Sequence, residues 1–285
     1  MAVALITGAS TGIGRATTLR LARGGWTVLA GVRDSAAGEQ LAREPGTDGR
    51  VIPLPLDVTD AAQIADAAAR VQQLSAQNGS PAARLDALVN NAGIGVGGPL
   101  EIITPEEMRM QFDVNVLAQV AVTQAMLPAL RRAHGRIVFI SSIGGIVATP
   151  FLAPYAASKH AIEAIADSLR IELDSSNVQV ALIEPGSVAT PIWDKGRAEA
   201  EATIVPPELQ AEYGHVPAAM DRVIEQTARR AIPPEEVAAT IDRALAATRM
   251  RARYLVGRDA RMMLMLRRVL PDRAFDRMMR RALGL

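Results

Sequence analysis

The chain opens with an apolar run that leads into a glycine-rich turn, Ala2-Val3-Ala4-Leu5-Ile6-Thr7-Gly8-Ala9-Ser10-Thr11-Gly12-Ile13-Gly14. The apolar run predicts a buried strand, and the pattern that continues to Arg23 predicts a helix. Glycines let the backbone approach a pyrophosphate closely, and the N-terminal end of a helix attracts its negative charge. This segment therefore predicts the first strand, turn and helix of a dinucleotide-binding fold, with three residues and then one between its glycines.

Strand and helix patterns alternate along the rest of the chain. We predict strands at 2–7, 26–32, 51–56, 85–90, 135–141, 178–184 and 252–256, and helices at 13–23, 36–44, 60–76, 105–130, 154–173 and 234–248. Such alternation indicates a parallel sheet covered by helices on both faces. We expect an α/β fold with a doubly wound parallel sheet of about seven strands, in one Rossmann domain over residues 1–257 that is followed by a helical tail at 258–285.

A tyrosine and a lysine stand four residues apart in Tyr155-Ala156-Ala157-Ser158-Lys159. In a helix this spacing stacks the two side chains on one face. Because a nearby cation favours the phenolate, we expect Lys159 to lower the pKa of Tyr155 from about 10 towards neutral pH, where proton transfer is most efficient. Lys195 is the only other lysine among 31 basic residues, so a lysine at this place indicates a specific role.

Four further motifs accompany the glycine turn and the Tyr155/Lys159 pair. They are Asn90-Asn91-Ala92-Gly93, Asn115 within Phe112-Asp113-Val114-Asn115-Val116, Ser141-Ser142, and Pro185-Gly186-Ser187-Val188-Ala189-Thr190. In this order the six motifs resemble the short-chain dehydrogenase/reductase family with its Tyr-x-x-x-Lys active site. The resemblance covers residues 1–190 motif by motif and extends more loosely to 257. It implies the strand order 3-2-1-4-5-6-7 and a ligand beyond the carboxyl ends of strands 1 and 4.

The resemblance also implies a catalytic set of Asn115, Ser142, Tyr155 and Lys159. Ser142 would hydrogen-bond the same substrate oxygen as Tyr155, and the neighbouring Ser141 competes for that position because only one of two adjacent extended side chains can face the site. Lys159 would bind the nicotinamide ribose, and Asn115 would lie at a helix irregularity that holds a water linking Lys159 to solvent. Tyr155 would protonate a carbonyl oxygen in reduction and accept the hydroxyl proton in oxidation.

The resemblance implies that cofactor choice is decided at the end of the second strand, where Val32 stands at the family's usual acidic position and Arg33 follows. We expect NADP(H), with Arg33 on the 2′-phosphate, whereas Asp34 would serve NAD(H) if the register differs by two. For Asp57 a cap or turn role is the alternative to a cofactor contact. The complete cofactor set implied by the resemblance is Gly8, Ser10, Thr11, Gly12, Ile13, Gly14, Arg33, Asp57, Val58, Asn91, Ala92, Gly93, Tyr155, Lys159, Pro185, Gly186, Val188 and Thr190.

The expected substrate side is apolar. Residues 191–233 would form a substrate-binding lid insertion, with an ordinary pair of packed helices as the alternative. No charged residue interrupts 143–158, which favours an apolar ketone, aldehyde or alcohol over a sugar or an acid. The three histidines show no ligand spacing, so no metal is expected. The candidate substrate residues are Ile143, Phe151, Leu152, Trp193 and Tyr213.

The C-terminal segment is basic, with eleven arginines and three aspartates in residues 249–285 and hence a net charge of +8. Apolar residues at helical spacing on both sides of Pro271 predict two short cationic amphipathic helices. These helices would cover the substrate cleft, pair with another subunit of a homodimer or homotetramer, or lie peripherally on an anionic membrane. Binding to nucleic acid is not expected, since no motif or aromatic platform accompanies the arginines.

Composition limits the classes of function. The 285 residues include no cysteine, which excludes disulfides and thiolate catalysis. No signal-like segment precedes the first strand, and no apolar run reaches the roughly 20 residues of a membrane span, so a cytoplasmic protein is expected. The sequence thus predicts an NADP-dependent oxidoreductase acting on CH-OH groups. A 3-ketoacyl-thioester reductase is the alternative enzyme, and a non-catalytic NADP-binding scaffold or regulator is the alternative of another class.

Overall fold

The computed structural model describes residues 1–47, 50–77, 83–191 and 205–283. Seven parallel strands form one sheet in the order β3-β2-β1-β4-β5-β6-β7, as predicted. The direction of strand order reverses between β1 and β4, so their carboxyl ends border the crevice in which such folds bind ligands. The strands are β1 (Val3–Thr7), β2 (Thr27–Val32), β3 (Val51–Pro55), β4 (Ala87–Asn90), β5 (Arg136–Ile140), β6 (Gln179–Pro185) and β7 (Arg253–Val256).

Helices cover both faces of this sheet, which confirms the predicted doubly wound α/β fold. The α-helices of the described ranges are α1 (Gly12–Arg23), α2 (Ser35–Ala42), α3 (Ala61–Gln77), α4 (Pro105–Phe112), α5 (Ala118–Ala133), α6 (Ala153–Glu172), α7 (Gln210–Tyr213), α8 (Val216–Arg230), α9 (Pro234–Ala246), α10 (Arg258–Val269) and α11 (Asp272–Leu283).

The strands are mostly apolar because each of their faces meets a layer of helices. Successive side chains alternate between two cores: Leu5 and Leu29 belong to one, whereas Ile6 and Val28 belong to the other. These side chains are fully buried, and burying a Leu or Ile side chain contributes roughly 1.5–3 kcal/mol. The continuous apolar runs of the sequence therefore specify a sheet that is buried on both faces.

The long helix predicted at 105–130 is interrupted in the structure. A π-helical segment, Asp113–Leu117, separates α4 from α5, and α4 begins with a capping box in which Thr104 and Glu107 satisfy each other's backbone amides. The interruption is centred on Asn115, whose amide bonds to the backbone of Ile94. Hydrophobic spacing did not reveal this change, because a π-bulge shifts the helical register by a single residue.

The tail forms the two predicted helices, α10 and α11, which Pro271 separates. Their inner faces pack on the chain itself: Phe275 and Met279 enclose a small apolar cluster with Val147. Met262, Met265 and Val269 of α10 are exposed. Within the described ranges, no helix combines the length and the apolar character that crossing a membrane requires.

Candidate active site

Ser142 and Tyr155 meet at the carboxyl end of β5. The Ser142 hydroxyl lies close enough to the Tyr155 phenol to act on its pKa, and Ser142 Oγ accepts a bond of 3.0 Å from Gly144 N. Ser141 points elsewhere: its Oγ is buried and has no hydrogen-bond partner in the described part of the chain. The alternation of an extended segment therefore brings Ser142, and not Ser141, to Tyr155.

Lys159 lies one helical turn after Tyr155 on α6, with Nζ 5.7 Å from the centre of the phenol ring. The ammonium donates a 2.8 Å hydrogen bond to Ile140 O, at the end of β5. Burial lowers the pKa of Lys159 to about 8, and the charge of Glu163 acts in the opposite direction. The helix and the strand end thus hold this cation next to the tyrosine.

The expected lowering of the Tyr155 pKa is wrong for the structure described here. Burial raises the pKa of this phenol above its ordinary value of 10.0, although the hydrogen bond with Ser142 opposes the change. The prediction considered only the charge of Lys159 and left out the desolvation of this half-buried phenol. Tyr155 therefore holds its proton at neutral pH.

Asn115 is completely buried in the π-helical segment. Its amide donates to Ile94 O at 2.9 Å and to Ser158 Oγ at 3.1 Å, and Ser158 in turn donates to Tyr155 O at 2.7 Å. Gln111, which the sequence analysis missed, bonds to the same Ile94 O. This network fixes the beginning of α6, and with it the position of Tyr155.

The glycine turn forms a cradle at the N-terminal end of α1. Gly8 and Gly12 have φ angles of 63° and 52°, which favour glycine, and a side chain at Gly14 would overlap Gly8 O. The Asn91 amide donates to Thr7 O at 2.8 Å and to Gly8 O at 3.0 Å. Asn91 thus holds the backbone of the turn through these two hydrogen bonds. Ala92 and Gly93 follow it at the end of β4.

The side chains beside the cradle leave its anion-binding end open. Thr11 is the N-cap residue of α1, but its side chain makes no capping hydrogen bond, so the first amides of the helix are not capped by it. Ser10 and Ile13 are half-buried, and Thr11 is exposed. The cradle therefore has the backbone geometry and the polarity that a phosphate requires.

After β2 and β3, the aspartates have cap or turn roles, whereas the arginine is exposed. Asp34 accepts a 2.9 Å bond from Ala36 N and caps α2, whereas Arg33 is exposed. Asp57 accepts bonds from the amide and the hydroxyl of Thr59, which lower its pKa together with the charge of Arg33. The turn role of Asp57 is thus present, and the neighbouring Val58 is buried.

The loop after β6 reaches the glycine cradle. A side chain at Gly12 would press on Thr190, Val188 pairs with Ile232, and Ala189 N donates to Ile232 O at 2.9 Å. Pro185 ends β6. The loop that includes Gly186 therefore lies at the same edge of the sheet as Ser142 and Tyr155.

The substrate candidates occupy different surroundings. Ile143 packs against the tail helices. Leu152 lies beside Gly97 together with Met220 of α8, and Phe151 O accepts a 2.7 Å bond from Gly98 N. Trp193 lies outside the described residues.

Tyr213 has a partner that the sequence analysis did not predict. Its hydroxyl donates to Glu101 Oε2 at 2.8 Å, in an exposed position. In this arrangement its hydroxyl group links α7 to the loop before α4.

A partly buried ionic cluster next to Lys159 was missed by the sequence analysis. Arg253 Nε lies 3.0 Å from Glu163 Oε2 and 3.1 Å from Glu184 Oε1. Burial and the charge of Glu163 raise the pKa of Glu184 to about 7. Glu163 continues the four-residue spacing of Tyr155 and Lys159, a signal that could have found it. No local pattern joins Glu184 to Arg253, because they come from separate strands.

Comparison with known proteins agrees with this geometry. A family model described as short chain dehydrogenase matches residues 2–201. The chain is 33% identical over 283 residues to an NADPH-dependent 3-dehydrocapnine reductase of Ornithobacterium rhinotracheale, covering 97% of this chain and 95% of the relative. It is 34% identical over 281 residues to retinol dehydrogenase 5 of Mus musculus, covering 95% and 85%.

Solved structures are similar over almost the whole chain. A short-chain dehydrogenase/reductase of Burkholderia phymatum in complex with NAD is 26% identical with a TM-score of 0.78, covering 94% of this chain and 92% of that chain. One of Burkholderia cenocepacia in complex with NADP is 26% identical with a TM-score of 0.71, covering 96% and 94%. A 3-ketoacyl-(acyl-carrier-protein) reductase of Brucella melitensis complexed with NADH is 26% identical with a TM-score of 0.69, covering 90% and 96%.

Proposed function

Because the chain belongs to the short-chain dehydrogenase/reductase family and is an oxidoreductase of that family, we propose that it interconverts an apolar ketone or aldehyde and its alcohol with NADP(H). The observation that carries this proposal is the hydroxyl pair of Ser142 and Tyr155, with the Lys159 ammonium on the same helical face. Such a pair provides two hydrogen bonds for one substrate oxygen and a proton on one of them.

The residues present suit a dinucleotide. Gly8, Gly12 and Gly14 would bring the backbone close to the pyrophosphate, and the uncapped start of α1 would attract its charge. Lys159 would bind the nicotinamide ribose, and the loop from Pro185 to Thr190 would flank the nicotinamide. When bound, the cofactor supplies or accepts the hydride at the substrate carbon.

The protein's part in the reaction is proton transfer. In reduction Tyr155 Oη gives its proton to the carbonyl oxygen, which Ser142 Oγ also hydrogen-bonds. The raised pKa of Tyr155 suits this role, since the phenol enters the reaction protonated. The phenolate that forms is stabilised by the Ser142 hydroxyl and by the Lys159 charge, and in oxidation the phenolate takes the proton from the alcohol.

The preference for NADP(H) is supported at the end of β2. Arg33 is exposed there, whereas Asp34 is engaged as the cap of α2. An arginine presents a planar group of donors that suits a phosphate, and a carboxylate would be the usual partner of an unphosphorylated ribose. Relatives with solved structures hold either cofactor, so the side chains at this position carry the inference.

An apolar substrate is supported by the surroundings of Leu152 and Met220, which meet at Gly97. The tail adds cover on the same side, because its apolar face packs on Ile143 and Val147 directly after Ser142. We infer that the tail serves as part of the cover of the substrate cleft. The exposed apolar side chains of α10 would then face a second subunit or an anionic membrane surface.

The proposal is tested by measuring NADPH oxidation with retinal, medium-chain ketones and an acetoacetyl thioester. We expect turnover with the apolar carbonyls, and Tyr155→Phe is the matched control that keeps the ring but lacks the proton. Turnover confined to the thioester would favour a 3-ketoacyl-thioester reductase, the activity named for the Brucella melitensis neighbour. NADPH binding without turnover on any of these compounds would favour a non-catalytic scaffold.

A further inference from the structure

The start of α10 contacts the loop that follows β6. Asp259, the second residue of α10, accepts a 2.7 Å hydrogen bond from Ser187 N through its Oδ2 atom. The contact depends on the sheet, because β7 pairs with β6 up to Val256 and Gly186 N donates to Val256 O at 2.9 Å. The ends of two neighbouring strands thus bring a carboxylate from the tail to the loop.

The carboxylate also lies directly beside the glycine at position 186. The three atoms nearest to a methyl group at Gly186 would all belong to the Asp259 carboxyl group, and they would overlap that methyl group. The backbone at Gly186 is not left-handed, so its φ angle does not require glycine. A side chain at position 186 would therefore displace the Asp259 carboxylate from its present place.

The other end of this loop is fixed at the cofactor cradle. Ile232 N donates to Ser187 O at 2.9 Å, and Thr190 packs on Gly12 of the glycine turn. The loop therefore runs from the Asp259 carboxylate to the turn that would hold the pyrophosphate. Its backbone cannot shift at Ser187 without losing the bond to Asp259.

We propose that Asp259 is a positioning residue of the cofactor site, which fixes Gly186 and Ser187 for the nicotinamide end of the bound cofactor. This inference rests on the proposed function, which assigns the nicotinamide to this loop. If the loop is already ordered before the cofactor binds, the entropic cost of ordering the loop does not reduce the affinity. Asp259 lies outside the segment that the family model matches, so the tail supplies a contact to the site that the motifs do not include.

The anchor is tested with Asp259→Ala, with Asp259→Asn as the matched control because asparagine keeps an acceptor oxygen at the same place. Hydrogen exchange at Ser187 N is measured by mass spectrometry of the peptide around it, without cofactor. Dissociation constants are measured for NADPH and for 2′-phospho-ADP-ribose, which lacks the nicotinamide.

In Asp259→Ala we expect at least tenfold faster exchange at Ser187 and about tenfold weaker NADPH binding, which corresponds to about 1.4 kcal/mol. Binding of 2′-phospho-ADP-ribose should be unchanged, and Asp259→Asn should resemble the unmodified protein in all three measurements. If Asp259→Ala does not fold, Asp259→Ser replaces it, since serine is too short to reach Ser187 N.

Unchanged exchange at Ser187 in Asp259→Ala would overturn the anchor, and so would a loss of exchange protection in Asp259→Asn as large as in the alanine variant. Faster exchange at Ser187 with unchanged NADPH affinity would overturn the positioning role. Faster exchange with an equal loss of affinity for NADPH and 2′-phospho-ADP-ribose would also overturn it. Failure of the unmodified protein to bind NADPH or NADH would refute the proposed function, while the exchange measurement still decides the anchor.

Discussion

Glu184→Gln is expected to stabilise the protein above neutral pH and to leave its stability nearly unchanged near pH 4. Glu184 lies in β6 with 2% of its surface exposed, and it shares Arg253 Nε with Glu163. Burial first, and then the charge of Glu163, raise the pKa of Glu184 from 4.5 to about 7, whereas the charge of Arg253 lowers it. A glutamine keeps the shape of the side chain and cannot ionise.

The sign follows from the two pKa values of Glu184. Its pKa in the folded protein is above that in the unfolded chain, so folding favours the protonated carboxyl group. The resulting stability is fully present below about pH 4.5 and is lost as the pH rises through about 7. The upper limit of the loss is about 3 kcal/mol, since each tenfold change in equilibrium is worth about 1.4 kcal/mol. Solvent reaches the Arg253 side of the cluster, and screening there reduces our expectation to roughly 1–2 kcal/mol.

The assay is equilibrium urea unfolding of the unmodified protein and of Glu184→Gln at pH 4 and pH 8. The difference between the two proteins should be close to zero at pH 4 and roughly 1–2 kcal/mol in favour of the variant at pH 8. Asp167→Asn is the matched control: Asp167 also pairs with Arg253, but its hydrogen bond to Arg253 lowers its pKa, so its contribution is lost only as the pH falls through the acidic range. A difference for Glu184→Gln that is independent of pH, or that favours the unmodified protein at pH 8, would refute the reasoning.

Three further predictions concern the reaction. Tyr155→Phe should lower kcat by at least about 100-fold, since general acid catalysis contributes a factor on the order of 10²–10⁴. The affinity for NADPH, measured by fluorescence titration, should stay within about threefold of that of the unmodified protein. Undiminished turnover would contradict the proton transfer assigned to Tyr155. Arg33→Ala should weaken NADPH binding about tenfold or more without a comparable effect on NADH, because only NADPH carries the 2′-phosphate. Arg43→Ala, which changes another exposed arginine nearby, serves as the control. An equal loss of affinity for both cofactors would show that Arg33 does not bind the phosphate. Glu163→Gln removes the charge that raises the pKa of Lys159, so this pKa should fall below about 8. The alkaline limb of the pH profile of kcat/KM should then move to lower pH. An alkaline limb at the same pH in both proteins would show that Lys159 does not govern it.

The fold could be predicted from the sequence because its determinants are local. A strand buried on both faces appears as an apolar run such as Val3–Thr7, and the glycines that follow it signal a turn into a helix. The four-residue spacing of Tyr155 and Lys159 places both on one face of α6 wherever that helix packs. Pro271 likewise separates the two tail helices by its own chemistry.

Local patterns were less informative where a residue's environment comes from distant parts of the chain. The pKa of Tyr155 was predicted in the wrong direction, because the spacing to Lys159 says nothing about the desolvation of the ring. Glu184 and Arg253 are neighbours only because β6 pairs with β7. Their ion pair therefore has no counterpart in any sequence spacing.

The tail shows most clearly what the sequence determined and what the tertiary structure determined. Helical spacing of apolar residues and arginines by itself specified two amphipathic helices, since amphipathic character depends on residues three and four apart. It could not specify what their apolar faces cover or that Asp259 meets Ser187 N, 72 positions earlier in the chain. Only the tertiary structure decided these contacts, because they form where parallel strands that are distant in sequence end at the same edge of the sheet.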